Sequence, residues 1–145
     1  MKIALDTNVL SYFLYASDNL SLKAQQAMGL ARDQAELVVC PAVYAELAAM
    51  DGFDVDEFAQ TLKDIEVSVD WTPLEPALWL RAGLLYGQYA RSPKPKKGSD
   101  RRILADFLIL AHFEARADLL LTFDNALVQV AADPRVVYAP DWKSA

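Results

Sequence analysis

Four acids stand where this sequence could do chemistry. Two follow short apolar runs directly: Asp6 after Ile3-Ala4-Leu5, and Asp124 after Leu120-Leu121-Thr122-Phe123. In an open parallel sheet, ligands bind beyond the carboxyl ends of strands. If these two runs are adjacent parallel strands, the two carboxylates meet there. Each acid is also a plausible plain helix cap. A third, Asp106, lies inside Ile103-Leu104-Ala105-Asp106-Phe107-Leu108-Ile109-Leu110-Ala111. A helix apolar nearly all round is a buried one, and a charge inside it is costly unless paired or metal-bound. The alternatives are a surface acid, or a buried partner for Arg101 or Arg102. The fourth, Glu46, is the one acid of Pro41 to Met50, a helix expected to leave a strand at the same sheet edge. On its own it would pass for a solvated glutamate.

Together the four carboxylates would repel one another and require a cation. Hard oxygen donors select Mg²⁺ or Mn²⁺ over Zn²⁺. The chain has one histidine, His112, and one cysteine, Cys40, so a zinc site of ordinary composition is unavailable. The same scarcity weakens Cys–His and Ser–His nucleophiles. His112 falls on a different helical face from Asp106 and is expected to be a hydrogen-bonded structural residue. A carboxylate-bound Mg²⁺ activates water and stabilises charge on a phosphoryl group.

The elements that must position these acids follow from the apolar pattern. Lys2 to Leu5 reads as a buried strand, with Asp6 or Thr7 capping a helix to about Ala16. Ser21 to about Asp33 is a second helix, Glu36 to Cys40 a second strand, and Pro41 to Met50 a third helix begun by its proline. Asp54 with Glu57 has capping-box spacing for a helix to about Asp64. Ile65 to Val69 is a short third strand. A helix follows Pro73 and Pro76 and runs to about Tyr89. Ser99 or Asp100 is expected to cap a helix to about Ala115. Leu119 to Thr122 is a fourth strand, Asp124 starts a helix to Ala132, and Val136 to Tyr138 is a fifth strand. Pro140 to Ala145 is expected to be loosely held. Strands alternating with helices imply an α/β domain with a mainly parallel sheet.

With 145 residues, 54% of them hydrophobic, the chain suits one domain over residues 1–145 with its own core. Such a composition excludes disorder, and a lone cysteine excludes a disulfide scaffold. The longest apolar stretch, Ile103 to Phe113, is too short and too interrupted to span a bilayer. Asp6 arrives too early for a signal peptide. A cytoplasmic protein without membrane association is expected.

A net charge of −6 argues at first against a nucleic-acid partner. The distribution argues otherwise. Residues 91–102 hold six of the fourteen Lys and Arg (Arg91, Lys94, Lys96, Lys97, Arg101, Arg102) and one acid, Asp100. The rest of the chain holds eight basic and nineteen acidic residues. Prolines and Gly98 make the strip a loop just before the helix of Asp106. It reads either as a polyanion-binding element for RNA or as a solubilising loop.

These residues resemble a known family. Ala4-Leu5-Asp6-Thr7-Asn8-Val9-Leu10, Tyr44-Ala45-Glu46-Leu47, Ile103 to Ile109 around Asp106, and Leu121-Thr122-Phe123-Asp124 are similar to the motifs of PIN-domain ribonucleases. The likeness is strongest to the VapC-type toxins of toxin–antitoxin pairs. It spans about residues 2 to 138 and rests on the order and spacing of the four acids.

The resemblance implies a PIN-like three-layer α/β fold with a central, mainly parallel sheet between helices. It implies Mg²⁺- or Mn²⁺-dependent endonucleolytic cleavage of RNA, with Asp6, Glu46, Asp106 and Asp124 binding the metal. Asn8 and Thr122 match polar residues beside them that position water or ligands. The metals' implied role is to activate water for in-line attack and to neutralise the leaving oxygen. A homodimer and a cognate antitoxin that blocks the site are implied as well. One departure concerns the metal count: Ala126, after Asn125, stands where many members carry a further acid. A catalytically degenerate PIN domain that binds RNA or a protein partner is the alternative. A phosphotransfer domain is a weaker one, since Asp6-Thr7-Asn8 lacks a second acid two residues on.

Overall fold

The computed structural model describes residues 1–93 and 102–143. Its centre is a five-stranded sheet in the order β3-β2-β1-β4-β5. The strands are β1 (Lys2–Leu5), β2 (Glu36–Val39), β3 (Val67–Val69), β4 (Leu119–Thr122) and β5 (Val136–Tyr138). Every pairing is parallel. Inner parallel strands are covered on both faces, so they are mostly apolar rather than alternating. KIAL, ELVV and LLLT show this, and Ile3, Leu5, Leu37, Leu120 and Leu121 are almost completely buried.

Seven α-helices flank the sheet among the described residues: α1 (Thr7–Tyr15), α2 (Asn19–Arg32), α3 (Pro41–Ala48), α4 (Val55–Asp64), α5 (Pro76–Ala90), α6 (Leu104–Arg116) and α7 (Asn125–Ala131). This is the expected PIN-like α/β architecture. The chain winds outward from β1 through β2 to β3, then returns to place β4 on the other side of β1. The strand order therefore reverses between β1 and β4. A crevice opens at such a reversal, beyond the carboxyl ends of the two strands. Asp6 and Asp124 follow those two ends.

Local chemistry explains most boundaries. Asp54 caps α4 by accepting from the Asp56 and Glu57 amides, each at 3.0 Å. Pro41 and Pro76 occupy first turns, where a missing N–H costs nothing. Two expectations fail. The helix of Asp106 starts at Leu104 rather than at Ser99 or Asp100, which lie outside the described residues. Its first turn is closed from inside, by Asp106 Oδ2 accepting from the Ile103 amide at 3.0 Å. The C-terminal segment is not loose throughout: Ala139–Asp141 form a 3₁₀ turn and Trp142 packs against the core. No helix among the described residues is long and apolar enough to cross a membrane.

Candidate active site

Asp6 is placed by β1 and held by α1. Its amide donates to the Leu121 carbonyl at 2.9 Å, which locks the end of β1 to β4. The residue is only 6% exposed. Oδ1 accepts from the Thr7 amide and Oδ2 from the Thr122 hydroxyl, both at 2.7 Å. Both donors are neutral. Burial pushes the Asp6 carboxyl up to about 6, against the pull of those hydrogen bonds, and the charges of Asp106 and Glu46 push the same way.

Thr122 is the hub of the polar network. Fully buried at the end of β4, its hydroxyl donates to Asp6 and accepts from the Asp124 amide at 3.0 Å. It also accepts from Asn8 Nδ2 at 3.4 Å. Asn8 Oδ1 in turn accepts from the Phe123 amide at 3.0 Å. Asn8 and Thr122 thus pin α1 to the loop after β4 and fix the path of the chain into Asp124.

The other acids are drawn to the same edge by different means. Thr7 donates its hydroxyl to Glu46 Oε1 at 2.7 Å, tying α3 to α1. The sequence reading missed Thr7 in this role. The visible signal was its position between Asp6 and Asn8, but its partner is 39 residues away. Asp106 is half-buried in the first turn of α6, and burial raises its carboxyl, while the Ile103 amide and the Arg102 charge oppose that rise. Asp124 caps α7 by accepting from the Leu127 amide at 3.2 Å.

Asp124 also carries a partner not foreseen for it. The Arg102 guanidinium grips it with two bonds, Nη1 to Oδ2 and Nη2 to Oδ1, the latter at 3.1 Å. The Arg102 side chain is 5% exposed. Its amide donates to the Tyr89 hydroxyl at 3.1 Å, so α5 anchors its backbone. The basic strip was read as an RNA-binding surface, but this member of it is turned inward onto an acid. Arg91 ends α5 and is exposed. Lys94, Lys96, Lys97 and Arg101 lie outside the described residues.

The four acids share one edge of the sheet without closing on a common point. Among the described residues no three His, Cys, Asp or Glu side chains converge tightly enough to hold a metal ion between them. The reasons are visible: Asp124 is engaged by Arg102, Asp106 caps its own helix, and Glu46 is held by Thr7. The donor chemistry still suits a hard divalent cation, and buried Asp6, with neutral donors and acidic neighbours, is where positive charge is wanting. A cavity of about 510 Å³ between α5, α6 and α7 is lined by Arg102 and Ala126 but by none of the four acids.

His112 behaves as read from the sequence. It is buried, with Nε2 at 2.9 Å from Asp70 Oδ2. Cys40 is free and buried.

Comparison with known proteins bears on the fold and the family. No curated protein gives a significant match. Among solved structures, the chain is similar to one in the crystal structure of VapBC2 from Rickettsia felis bound to a DNA fragment from their promoter. The TM-score is 0.56 at 17% identity, covering 94% of this chain and 96% of that one. That likeness concerns the fold. The PIN domain matches residues 3–133, a span that contains all four acids and both of their polar neighbours. With its five parallel strands and an acid at the end of β1 and of β4, the chain belongs to the PIN-domain family.

Proposed function

We propose that this protein is a metal-dependent endoribonuclease that hydrolyses RNA phosphodiester bonds, and that it is the toxin of a toxin–antitoxin pair. The observation that carries the reading is Asp6: a buried carboxylate at the strand reversal, next to other acids and, among the described residues, without a cation of its own. The structural likeness to a chain of a VapBC2 complex supports the toxin assignment. A cognate antitoxin, a homodimer of single-domain chains spanning 1–145, and a cytoplasmic location belong to the same proposal.

Asp6, Asp106 and Glu46 would hold Mg²⁺ or Mn²⁺, while Asp124, at the far end of the same edge, is engaged by Arg102. Such an ion supplies water activation and neutralises charge at the phosphate. The chain's own residues do the rest. Thr122 and the Thr7 amide orient the two Asp6 oxygens, so the carboxylate does not have to reorganise when positive charge arrives. Thr7 restrains Glu46 on the facing helix. Asn8 fixes the backbone between Thr122 and Asp124. Lys94, Lys96, Lys97, Arg101 and exposed Arg91 are assigned to the RNA backbone, where charge rather than shape gives affinity. Arg102 joins them only if it leaves Asp124.

RNA cleavage with purified protein tests this reading. Cleavage is expected with Mg²⁺ or Mn²⁺ and lost with a chelator or in Asp6→Asn. Cleavage that survives both overturns it. A second reading is a degenerate PIN domain that binds RNA or a partner without cutting. The grip of Arg102 on Asp124 favours it, together with Ala126 on α7. RNA binding without Mn²⁺ uptake or cleavage would decide for it.

A further inference from the structure

The two ends of the acidic edge differ in what compensates them. At one end, among the described residues, Asp6 accepts only from neutral donors, and the charges of Asp106 and Glu46 act on it. At the other, Asp124 has both oxygens in a bidentate pair with a buried guanidinium, and Oδ1 also accepts from the Leu127 amide. Bidentate carboxylate–guanidinium pairs are strong and geometrically selective. Arg102 is held at both ends of its length, by Asp124 and by the Tyr89 hydroxyl on its amide. Its charge also acts on Asp106. Residues 125–132 contain no further acid, so nothing on α7 would hold a second cation against this guanidinium.

We propose that Arg102 is the resident cation of the Asp124 end, so that the site takes a single divalent ion, at the Asp6 end, and Asp124 ligates metal only when Arg102 is removed. This inference rests on the metal-dependent reading above. A second ion would have to break the Arg102–Asp124 pair and sit beside a buried guanidinium whose backbone Tyr89 anchors. Like charges at such distances in a partly buried site repel strongly. One divalent ion together with Arg102 brings three positive charges to four carboxylates. A second ion would exceed them. The arrangement makes Arg102 a positioning residue: it fixes the Asp124 side chain and sets how many ions the edge accepts.

Calorimetric titration with Mn²⁺ in the absence of RNA tests the proposal. Wild type should take one ion. Arg102→Met keeps most of the side-chain volume, removes the charge, and should take two. The double variant Arg102→Met/Asp124→Asn should return to one, with an affinity within about threefold of wild type. Should Arg102→Met fail to fold, Asp124→Asn alone decides, because asparagine still caps α7 and the single ion should remain. Two ions in wild type overturn the proposal, as does one ion in folded Arg102→Met or loss of the ion in Asp124→Asn. No Mn²⁺ uptake by wild type or Arg102→Met would instead overturn the metal-dependent reading itself.

Discussion

Asp6 and Asp70 occupy equivalent places in the fold. Asp6 follows β1 and gives its amide to the Leu121 carbonyl of β4; Asp70 follows β3 and gives its amide to the Val39 carbonyl of β2. What surrounds them is opposite. Asp70 Oδ2 accepts from Arg116 Nη1 at 3.2 Å and meets His112 Nε2 at 2.9 Å. Burial opposes ionisation of Asp70, but His112, Thr72 and Arg116 outweigh it and hold the carboxyl well below its ordinary range. Burial keeps His112 low, against the pull of Asp70, so the ring is neutral and Arg116 supplies the positive charge. Among the described residues Asp6 receives no such charge, and it is raised to about 6. An acid at a strand end is therefore not a site by position. Asp70 braces β3 against α6 through a finished ion pair. Asp6 has no such pair among the described residues, and a buried, raised carboxyl of this kind marks a candidate functional site.

The comparison can be broken in several ways. The largest effect concerns chemistry. Asp6→Asn should reduce RNA cleavage by roughly 10³-fold or more, as loss of a principal charge-stabilising group does. Asp70→Asn should leave cleavage per folded molecule unchanged. Equal losses in gel-based cleavage assays would erase the distinction.

The next effect is on stability against pH. The unfolded Asp6 carboxyl ionises near 3.8 and the folded one near 6, so the fold retains a proton that the unfolded chain has released. Metal-free protein should therefore lose stability as pH rises from about 4 to 6, by about 3 kcal/mol from this group. Asp70 works in the other direction. Its depressed folded value gives stability that is present above the unfolded value and lost as pH falls below it. Urea unfolding at stepped pH separates the two windows, and Asp6→Asn should flatten only the upper one.

A smaller loss is expected from Asp70→Asn. It leaves Arg116 and His112 facing a neutral amide and should cost roughly 2–3 kcal/mol, just below the range for breaking a fully buried pair because this one is partly exposed. The smallest change sharpens the picture at the site. Thr122→Val removes the hydroxyl from Asp6, Asn8 and the Asp124 amide with little change in shape. A cost of roughly 1–2 kcal/mol is expected. It should come with a further rise in the Asp6 carboxyl, readable as a shift of the upper pH window.

Much of this was legible in the chain itself. Apolar runs marked four of the strands to within a few residues, because strands buried on both faces leave little alternation to misread, whereas the edge strand β3 showed through its alternation, with Val67 buried and Ser68 exposed. The four acids were visible because each interrupts or ends an apolar segment, where a charge demands a reason. The partners were not legible. Arg102 lies 22 residues from Asp124, and which acid it meets depends on how α6 and α7 pack beside β4. Asp106 offered its own alternative of pairing with Arg102, but its side chain turned back to cap the helix that carries it. Asp70, ending a short strand beside Trp71 and Thr72, carried no pattern that distinguished it from a turn acid. Periodicity locates burial, whereas charge compensation is decided by tertiary contacts.

The central claim is that Asp6 carries a charge the metal-free fold leaves uncompensated. Melting temperatures of wild type and Asp6→Asn at pH 7, each with chelator and with Mn²⁺, test it most directly. Asp6→Asn should melt above wild type in chelator, and Mn²⁺ should raise wild type while leaving the variant nearly unmoved. If Asp6→Asn melts below wild type in chelator, and Mn²⁺ shifts the two proteins equally, the claim is contradicted.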